Sequence, residues 1–223
     1  MVEESGFATL EGLAERFGVS MQTVRRDIIA LSDAGRLQRF HGGAGPLERE
    51  ESTRLGYQAK LDIAQSEKLS IGAKAASEIK NGATLFLDVG TTVEACATAL
   101  AERPGFTIFT NSMPAAMKFD PQEHSVFLLG GKMAGRDGSV VGLEAVSLIG
   151  DVNLDYAVIG CSTIDGNGRV MDFDLDKIAI KRSAMKAAAK SFLVATKSKF
   201  GRSALAVIEH IDQFDAVFSS HEL

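Results

Sequence analysis

The sequence predicts an α/β chain in two units, a small N-terminal unit and a larger domain with a mostly parallel sheet. Three observations carry this. Two short helix patterns near the start are separated by only a tight turn. Beyond them, residues 45–62 hold Gly45, Pro46, Glu48, Arg49, Glu50, Glu51 and Arg54 with few apolar residues, a linker composition. After that, apolar runs of about five residues alternate with helical patterns, which implies parallel strands with helices on their faces. The division falls at 1–57 and 58–223, with the linker beginning near 45. A length of 223 residues, 45% of them hydrophobic and 24% charged, is ordinary for a globular chain of one or two domains.

The first helix is expected over residues 9–17. Thr9 is a suitable N-cap, and Leu10, Leu13, Ala14 and Phe17 fall on one face. Gly18 ends it, and Ser20 caps a second helix from Met21 to Ala34, with Val24, Ile28 and Leu31 inward and Gly35 closing it. Two helices joined by Gly-Val-Ser form a helix-turn-helix pattern. The first turns of the second helix carry Met21, Gln22, Thr23, Arg25 and Arg26. Gln pairs with adenine, Arg with guanine or phosphate, and the Thr methyl with thymine, so this end suits base edges. Leu37 and Arg39 then alternate with Gln38 and Phe40 ahead of a Gly-Gly turn, a hairpin suited to lie on phosphates as a wing. The same pattern also describes a small helical unit with a solvated basic face.

Charge is informative by region. Acidic residues number 29 and basic ones 24, a formal charge of -5 that excludes a protein coated in nucleic acid. Yet from Arg16 to His41 five Arg oppose Asp27 and Asp33, a local +3 inside an acidic chain.

In the larger unit, strands are expected at Thr84–Asp88, Phe106–Thr110, Ser125–Leu129, Asp155–Gly160, Ser191–Ala195 and Ala216–Ser219, with a weaker one at Ala204–Ile208. Helices are expected at Glu67–Lys80, Val93–Glu102, Pro114–Phe119, Leu143–Ile149 and Leu175–Lys190. Such sheets bind ligands at the carboxyl ends of their strands. Asp88-Val89-Gly90-Thr91-Thr92 follows the first strand and leads into a helix, a glycine turn with hydroxyls and free N–H groups suited to an anion. Asn111 follows the second strand and Gly130-Gly131-Lys132 the third. Thr196 to Gly201 follows the fifth, with Lys197 and Lys199 either facing a phosphate or solvated. Lys181 carries the same two readings. The run Asp172, Asp174, Asp176 reads as a polar loop.

Cys96 and Cys161 make neither a disulfide framework nor a CxxC metal site, and are read as reduced structural thiols. His41, His124, His210 and His221 are scattered, which leaves Cys161 without an evident basic partner for nucleophilic work. No secretory signal or membrane-length apolar run is evident, so a cytoplasmic protein without cofactor or metal is expected.

The string Gly18-Val19-Ser20-Met21-Gln22-Thr23-Val24-Arg25-Arg26-Asp27-Ile28, then Gly35-Arg36-Leu37 and Arg39-Phe40-His41-Gly42-Gly43-Ala44, resembles the DeoR family of bacterial transcriptional regulators. Leu87 to Thr92, Thr110-Asn111, Gly130-Gly131, Asp176 with Lys181-Arg182, and Lys197 to Gly201 resemble the C-terminal domain of the same family. In that family a helix of about a dozen residues precedes the stretch matching Leu10; only Met1 to Phe7 precede it here, so that helix is expected to be truncated. The resemblance implies a winged helix-turn-helix with Ser20, Gln22, Thr23, Arg25, Arg26, Arg39 and His41 at the DNA. It implies a sensor domain related in fold to ribose-5-phosphate isomerase and glucosamine-6-phosphate deaminase. There Gly90, Thr91 and Thr92 would hold phosphate, Asp88, Asn111 and Gly131 would border the sugar, and Lys181 and Lys199 would add charge. The expectation is a homo-oligomeric repressor of a carbohydrate operon, bound to double-stranded DNA and controlled by a phosphorylated sugar. The alternative is an isomerase or deaminase that retains activity; against it, Cys161-Ser162-Thr163-Ile164 stands where the related isomerases carry an acidic cluster.

Overall fold

The computed structural model describes residues 7–34, 36–40, 42–46, 57–135 and 137–221. Met1 to Gly6, Gly35 and His41 lie outside the described residues, so the expected truncated first helix, the closing role of Gly35 and the DNA role of His41 do too.

The N-terminal unit begins with β1 (Ala8–Thr9), α1 (Leu10–Phe17) and α2 (Met21–Asp33). Its wing is β2 (Leu37–Phe40) with β3 (Gly43–Pro46). Thr9 caps α1 by accepting the Gly12 N–H at 3.0 Å, and Ser20 caps α2 by accepting the Thr23 N–H at 3.1 Å. Each serves one of the four N–H groups that a helix start leaves unpaired. The wing hairpin is antiparallel, and β1 adds to the far side of β3. Leu10, Leu13, Val24, Ile28, Ala8 and Ala44 bury a small core of their own, with Leu37 and Ala14 packed on it. Phe7 reaches out of this unit, its ring 5.8 Å from that of Phe173 in the larger one.

The stretch read as linker contains a helix, α3 (Tyr57–Asp62), followed at once by α4 (Gln65–Ser77). Tyr57 donates to Glu94 Oε2 at 2.6 Å, a tertiary contact that no local composition reveals. The larger unit continues through β4 (Thr84–Leu87), α5 (Thr91–Ala101), β5 (Thr107–Thr110), α6 (Met113–Ala116) and β6 (Ser125–Leu128). Then follow β7 (Lys132–Ala134), β8 (Ser139–Val141), α7 (Leu143–Gly150), β9 (Leu154–Gly160), β10 (Thr163–Ile164) and β11 (Arg169–Asp172). The chain ends with α8 (Leu175–Ala187), β12 (Ala188–Val194), β13 (Ala206–His210) and β14 (Ala216–Phe218).

Six strands form one parallel sheet in the order β14-β12-β9-β4-β5-β6. Its runs are apolar because both faces are covered, as parallel sheets require. Leu85, Leu87, Ile108, Val158 and Val194 pack under α4, α5 and α6. Phe86, Ala157, Ile159 and Leu193 pack on the other face under α7 and α8. The expected strand at Ala204–Ile208 lies two residues later. It leaves the main sheet and pairs antiparallel with β11, with β10 on its far side. The β7–β8 hairpin was not expected: three-residue strands give too short an alternation to read.

One feature of the order sets the site. From β4 the chain moves outward through β5 to β6, then returns to lay β9 against the other side of β4 and proceeds to β12 and β14. The direction of winding therefore reverses between β4 and β9. A crevice opens at that reversal, beyond the carboxyl ends of the two strands.

Candidate functional site

Two surfaces carry chemistry. The first is the start of α2. It has no acidic residue in its first turn, so the positive end of its dipole is not neutralised locally. Gln22, Arg25 and Arg26 are exposed, Met21 is half-exposed, and Arg39 is exposed on the wing. Arg26 lies 3.7 Å from Asp27 with both side chains mostly in solvent, a pair too loose to retire the charge. Ser20 and Thr23 play a different part: their hydroxyls lie 3.0 Å apart and Ser20 holds the helix start, so they orient the neighbours that face outward.

The second is a cavity of about 330 Å³ in the crevice between β4 and β9. On one wall the chain leaves β4 through Val89 and Gly90 into α5. Gly90 has φ 136° and open space where a Cβ would stand, so its backbone lies bare to the cavity. No side chain caps α5, and its first residues, Thr91, Thr92 and Val93, line the space. The opposite wall holds Gly160 at the end of β9 with Cys161 and Ser162 after it, and Val194 at the end of β12 with Lys199 in the turn beyond.

The floor is ionic. Lys181 comes up from α8 and donates to Asp88 Oδ2 and to the Gly160 carbonyl at 2.9 Å, with Asp172 Oδ2 at 3.5 Å. Asp88 Oδ2 also accepts the Gly160 N–H at 3.0 Å. Asp172 Oδ1 accepts from Ser162 Oγ at 2.7 Å and from the Phe173 N–H at 2.8 Å. Burial opposes charge on Lys181, but the two carboxylates outweigh it and hold the ammonium above its ordinary range. Burial likewise opposes charge on Asp172; the attraction of Lys181 and the two hydrogen bonds hold it below the usual carboxylate range.

Above the floor stand two cations without a carboxylate within 4 Å among the described residues, Lys199 and Lys60. Burial pushes Lys199 down to about 8, and burial lowers Lys60 as well. Lys177 is different, since it is 2.6 Å from Asp137 Oδ2. Asp174 caps α8 by accepting the Asp176 and Lys177 N–H groups at 3.0 and 3.1 Å. Burial pushes the Cys161 thiol up to about 12, which makes it an inert wall.

The structure therefore brings Gly90, Thr91, Thr92, Lys181 and Lys199 to one cavity. It separates three residues expected beside them. Asp88 is fully buried below the floor, where it holds Lys181 and does not face the cavity. Asn111 and Gly131 follow β5 and β6, on the far side of β4 from the reversal, and neither lines the cavity. Gly131 answers to packing: a Cβ there would stand 2.4 Å from the Val141 carbonyl oxygen. Sequence reasoning missed Lys60, Asp137, Ser162, Asp172 and Lys177. The acidic run from Asp172 ahead of a helix is a visible signal, although by itself it reads as a polar loop; Lys60 gives none.

A reading helix with a basic wing, joined to an α/β domain around a cation-lined cavity, defines the class of DNA-binding transcriptional regulators with a sensor domain. The chain belongs to the DeoR family: residues 1–50 match its DeoR-like helix-turn-helix domain and residues 63–221 its DeoR C terminal sensor domain. It is 34% identical over 220 residues to the glycerol-3-phosphate regulon repressor of Escherichia coli (strain K12), covering 98% of this chain and 86% of that one. To the HTH-type transcriptional repressor CsqR of the same organism it is 33% identical over 98% of this chain and 84% of that one. Among solved structures, eIF2B beta from Chaetomium thermophilum aligns with a TM-score of 0.50 at 15% identity, over 72% of this chain and 53% of that one, a likeness of fold. The chain spans about half the length of the solved structures it resembles. No helix among the described residues is long and apolar enough to cross a membrane.

Proposed function

We propose that this protein is a cytoplasmic, homo-oligomeric repressor of a carbohydrate operon, and that a small phosphorylated polyol or sugar in the β4–β9 cavity sets its affinity for double-stranded DNA. The single observation that carries the ligand class is the meeting of an uncapped helix start with two ammonium groups that have no carboxylate partner among the described residues, in one cavity. Gly90, Thr91 and Thr92 supply N–H and hydroxyl donors to the phosphate, as helix starts do for anions generally. Lys199 and Lys60 supply charge. The carboxylates of Asp172 and Asp174 suit hydroxyl donors on the rest of the ligand. Lys181 and Asp88 fix the floor. Glycerol 3-phosphate is the first effector to try, because the relative named above is a repressor of that regulon.

At the DNA, Gln22, Arg25 and Arg26 read bases and phosphates, Ser20 and Thr23 orient them, and Arg39 lies on the backbone. Two copies would place two such helices on half-sites one helical turn apart. An effector that binds one state better by roughly 1–3 kcal/mol shifts DNA affinity about 5–150-fold.

A sensor is favoured over an isomerase or deaminase because the chain's relatives are transcriptional regulators, and because no carboxylate of the ionic floor is left free to act as the base those reactions use. The cavity's ion-paired carboxylates are spoken for: Asp172 is held ionised by Lys181, Ser162 and Phe173, and Asp137 is paired with Lys177. The test pairs Thr91→Ala with Lys199→Ala. The double variant should bind DNA as the parent does and lose its response to glycerol 3-phosphate and to a sugar-phosphate panel. A full response would rule out this pocket, and steady turnover of any panel member by the parent would establish the enzyme.

A further inference from the structure

The Lys199 ammonium is useful to an anion only where its segment holds it. Lys197–Lys199 is a short 3-10 turn after β12, closed by the Lys199 N–H on the Thr196 carbonyl at 3.0 Å. Beyond it, the Gly201 N–H donates to the Ile164 carbonyl at 2.8 Å and the Arg202 guanidinium to the Ser198 carbonyl, and two further contacts bear on its ends. Phe200 stacks on His221 at 4.1 Å. Glu67, in the first turn of α4, accepts at Oε1 both the Lys197 N–H at 2.8 Å and the Ser220 hydroxyl. Its two partners lie 130 and 153 residues away in sequence. Both are neutral donors, so this is not an opportunistic surface ion pair; a carboxylate is placed where three distant segments meet. The next residue along α4, Lys68, donates to the Lys60 carbonyl. One helical turn thus braces the two segments that carry the cavity's unpaired cations.

We infer that Glu67 is a positioning residue of the anion site, whose carboxylate fixes the Lys197–Phe200 segment so that Lys199 stands at the cavity. The inference rests on the reading that Lys199 binds the phosphate. It assigns Glu67 no contact with the ligand. Removing the side chain frees the Lys197 end of the turn, loosens the hold on Lys199, and so weakens the ligand while leaving the fold in place.

The experiment measures binding of inorganic phosphate and of glycerol 3-phosphate to the full chain, by calorimetry and thermal shift, across pH 6–10. Glu67→Ala places a strong helix former at a half-exposed helical position, so its unliganded melting temperature should stay near the parent's. Its affinity for both anions should fall about ten- to a hundredfold, the scale of one lost charge-assisted hydrogen bond. Glu67→Gln keeps an acceptor oxygen at Oε1 and should restore affinity to within about threefold. In Glu67→Ala the loss of binding as pH rises through about 8 should flatten, because a Lys199 that stands in water no longer couples its proton to the ligand. A purely structural role would not move that limb. Parent-like affinity in Glu67→Ala, or failure of Glu67→Gln to restore it, overturns the positioning role. Lys199→Met is run alongside. If it binds both anions like the parent, or the parent binds neither, the phosphate reading falls and takes this inference with it; if only Lys199→Met loses binding, the positioning role alone falls.

Discussion

Lys181 Nζ donates to Asp88 Oδ2 at a point where both side chains are within 1% of complete burial. The pair ties α8 to the end of β4 directly below the cavity, and Asp172 adds a second carboxylate at 3.5 Å. It is a foundation, shaping the floor without offering a free charge to a ligand.

Removing the ammonium should therefore cost stability first. Lys181→Met leaves two buried carboxylates unpaired, and breaking one partner of such a pair costs about 3–5 kcal/mol. Urea unfolding should show a lower midpoint at an unchanged slope. Lys181→Met combined with Asp88→Leu should recover part of the loss, since an apolar pair of similar volume is tolerated where a lone charge is not. A Lys181→Met midpoint equal to the parent's would show that the pair is not what holds the floor.

The same floor has a pH signature. Asp172 is held below its ordinary value, so its contribution is fully present above the unfolded value of about 3.9 and is lost as pH falls through the folded one. Lys181 is held above its ordinary value, so its contribution is present below about 10.4 and is lost as pH rises through the folded value. Asp172→Asn should flatten the acid limb of a stability–pH curve. An acid limb identical in that variant would remove Asp172 from the account.

Lys199 behaves in the opposite sense. Burial lowers it to about 8, so near that pH the empty cavity holds a partly neutral amine. An arriving phosphate favours the ammonium. Effector affinity should fall as pH rises through about 8, and binding at that pH should take up a proton, seen as a calorimetric enthalpy that depends on the buffer's own ionisation enthalpy. The dependence should vanish in Lys199→Met. Buffer-independent heats in the parent would contradict a titrating Lys199.

The DNA surface is tested at Arg25 and Arg26. An Arg that meets only phosphate should, as Ala, lower the slope of log affinity against log salt by about 0.9. One that reads a base should lose roughly 1–3 kcal/mol of discrimination at one position of the site. Unchanged binding in both variants would place the reading surface elsewhere than α2.

Gly131 separates packing from ligand contact. Its φ of 144° disfavours other residues, and the Val141 carbonyl oxygen occupies the space of a Cβ. Gly131→Ala should destabilise by about 1–3 kcal/mol through strain at the β7–β8 hairpin. Effector affinity at a temperature where the variant is folded should match the parent's. A selective loss of affinity would return Gly131 to the site.

Much was legible along the chain because it is written in local pattern. The caps Thr9 and Ser20, the apolar face of α1, and six parallel strands stand within a few residues of where periodicity and turn chemistry put them. So does the Gly90-Thr91-Thr92 helix start, since a strand, a glycine turn and a helix are consecutive in sequence. Strands of two to four residues in the antiparallel sheet and the β7–β8 hairpin were not, because an alternation that short has no statistical weight against turn residues. The linker helix α3 was hidden by its composition and is fixed by Tyr57 on Glu94.

The sequence by itself therefore determined the two-unit α/β class, the reading helix and its charge, and one wall of the cavity. Only the tertiary structure decided which loops share that site. The parallel strands can be counted in sequence, but their order cannot, since every crossover joins strands through helices of similar pattern. Placing β9 beside β4 brings Ser162, Asp172 and Lys199 to Thr91 and leaves Asn111 and Gly131 one and two strands away on the other side. Each neighbouring strand displaces a loop by about 4.8 Å, enough to put a short side chain out of reach of a small ligand.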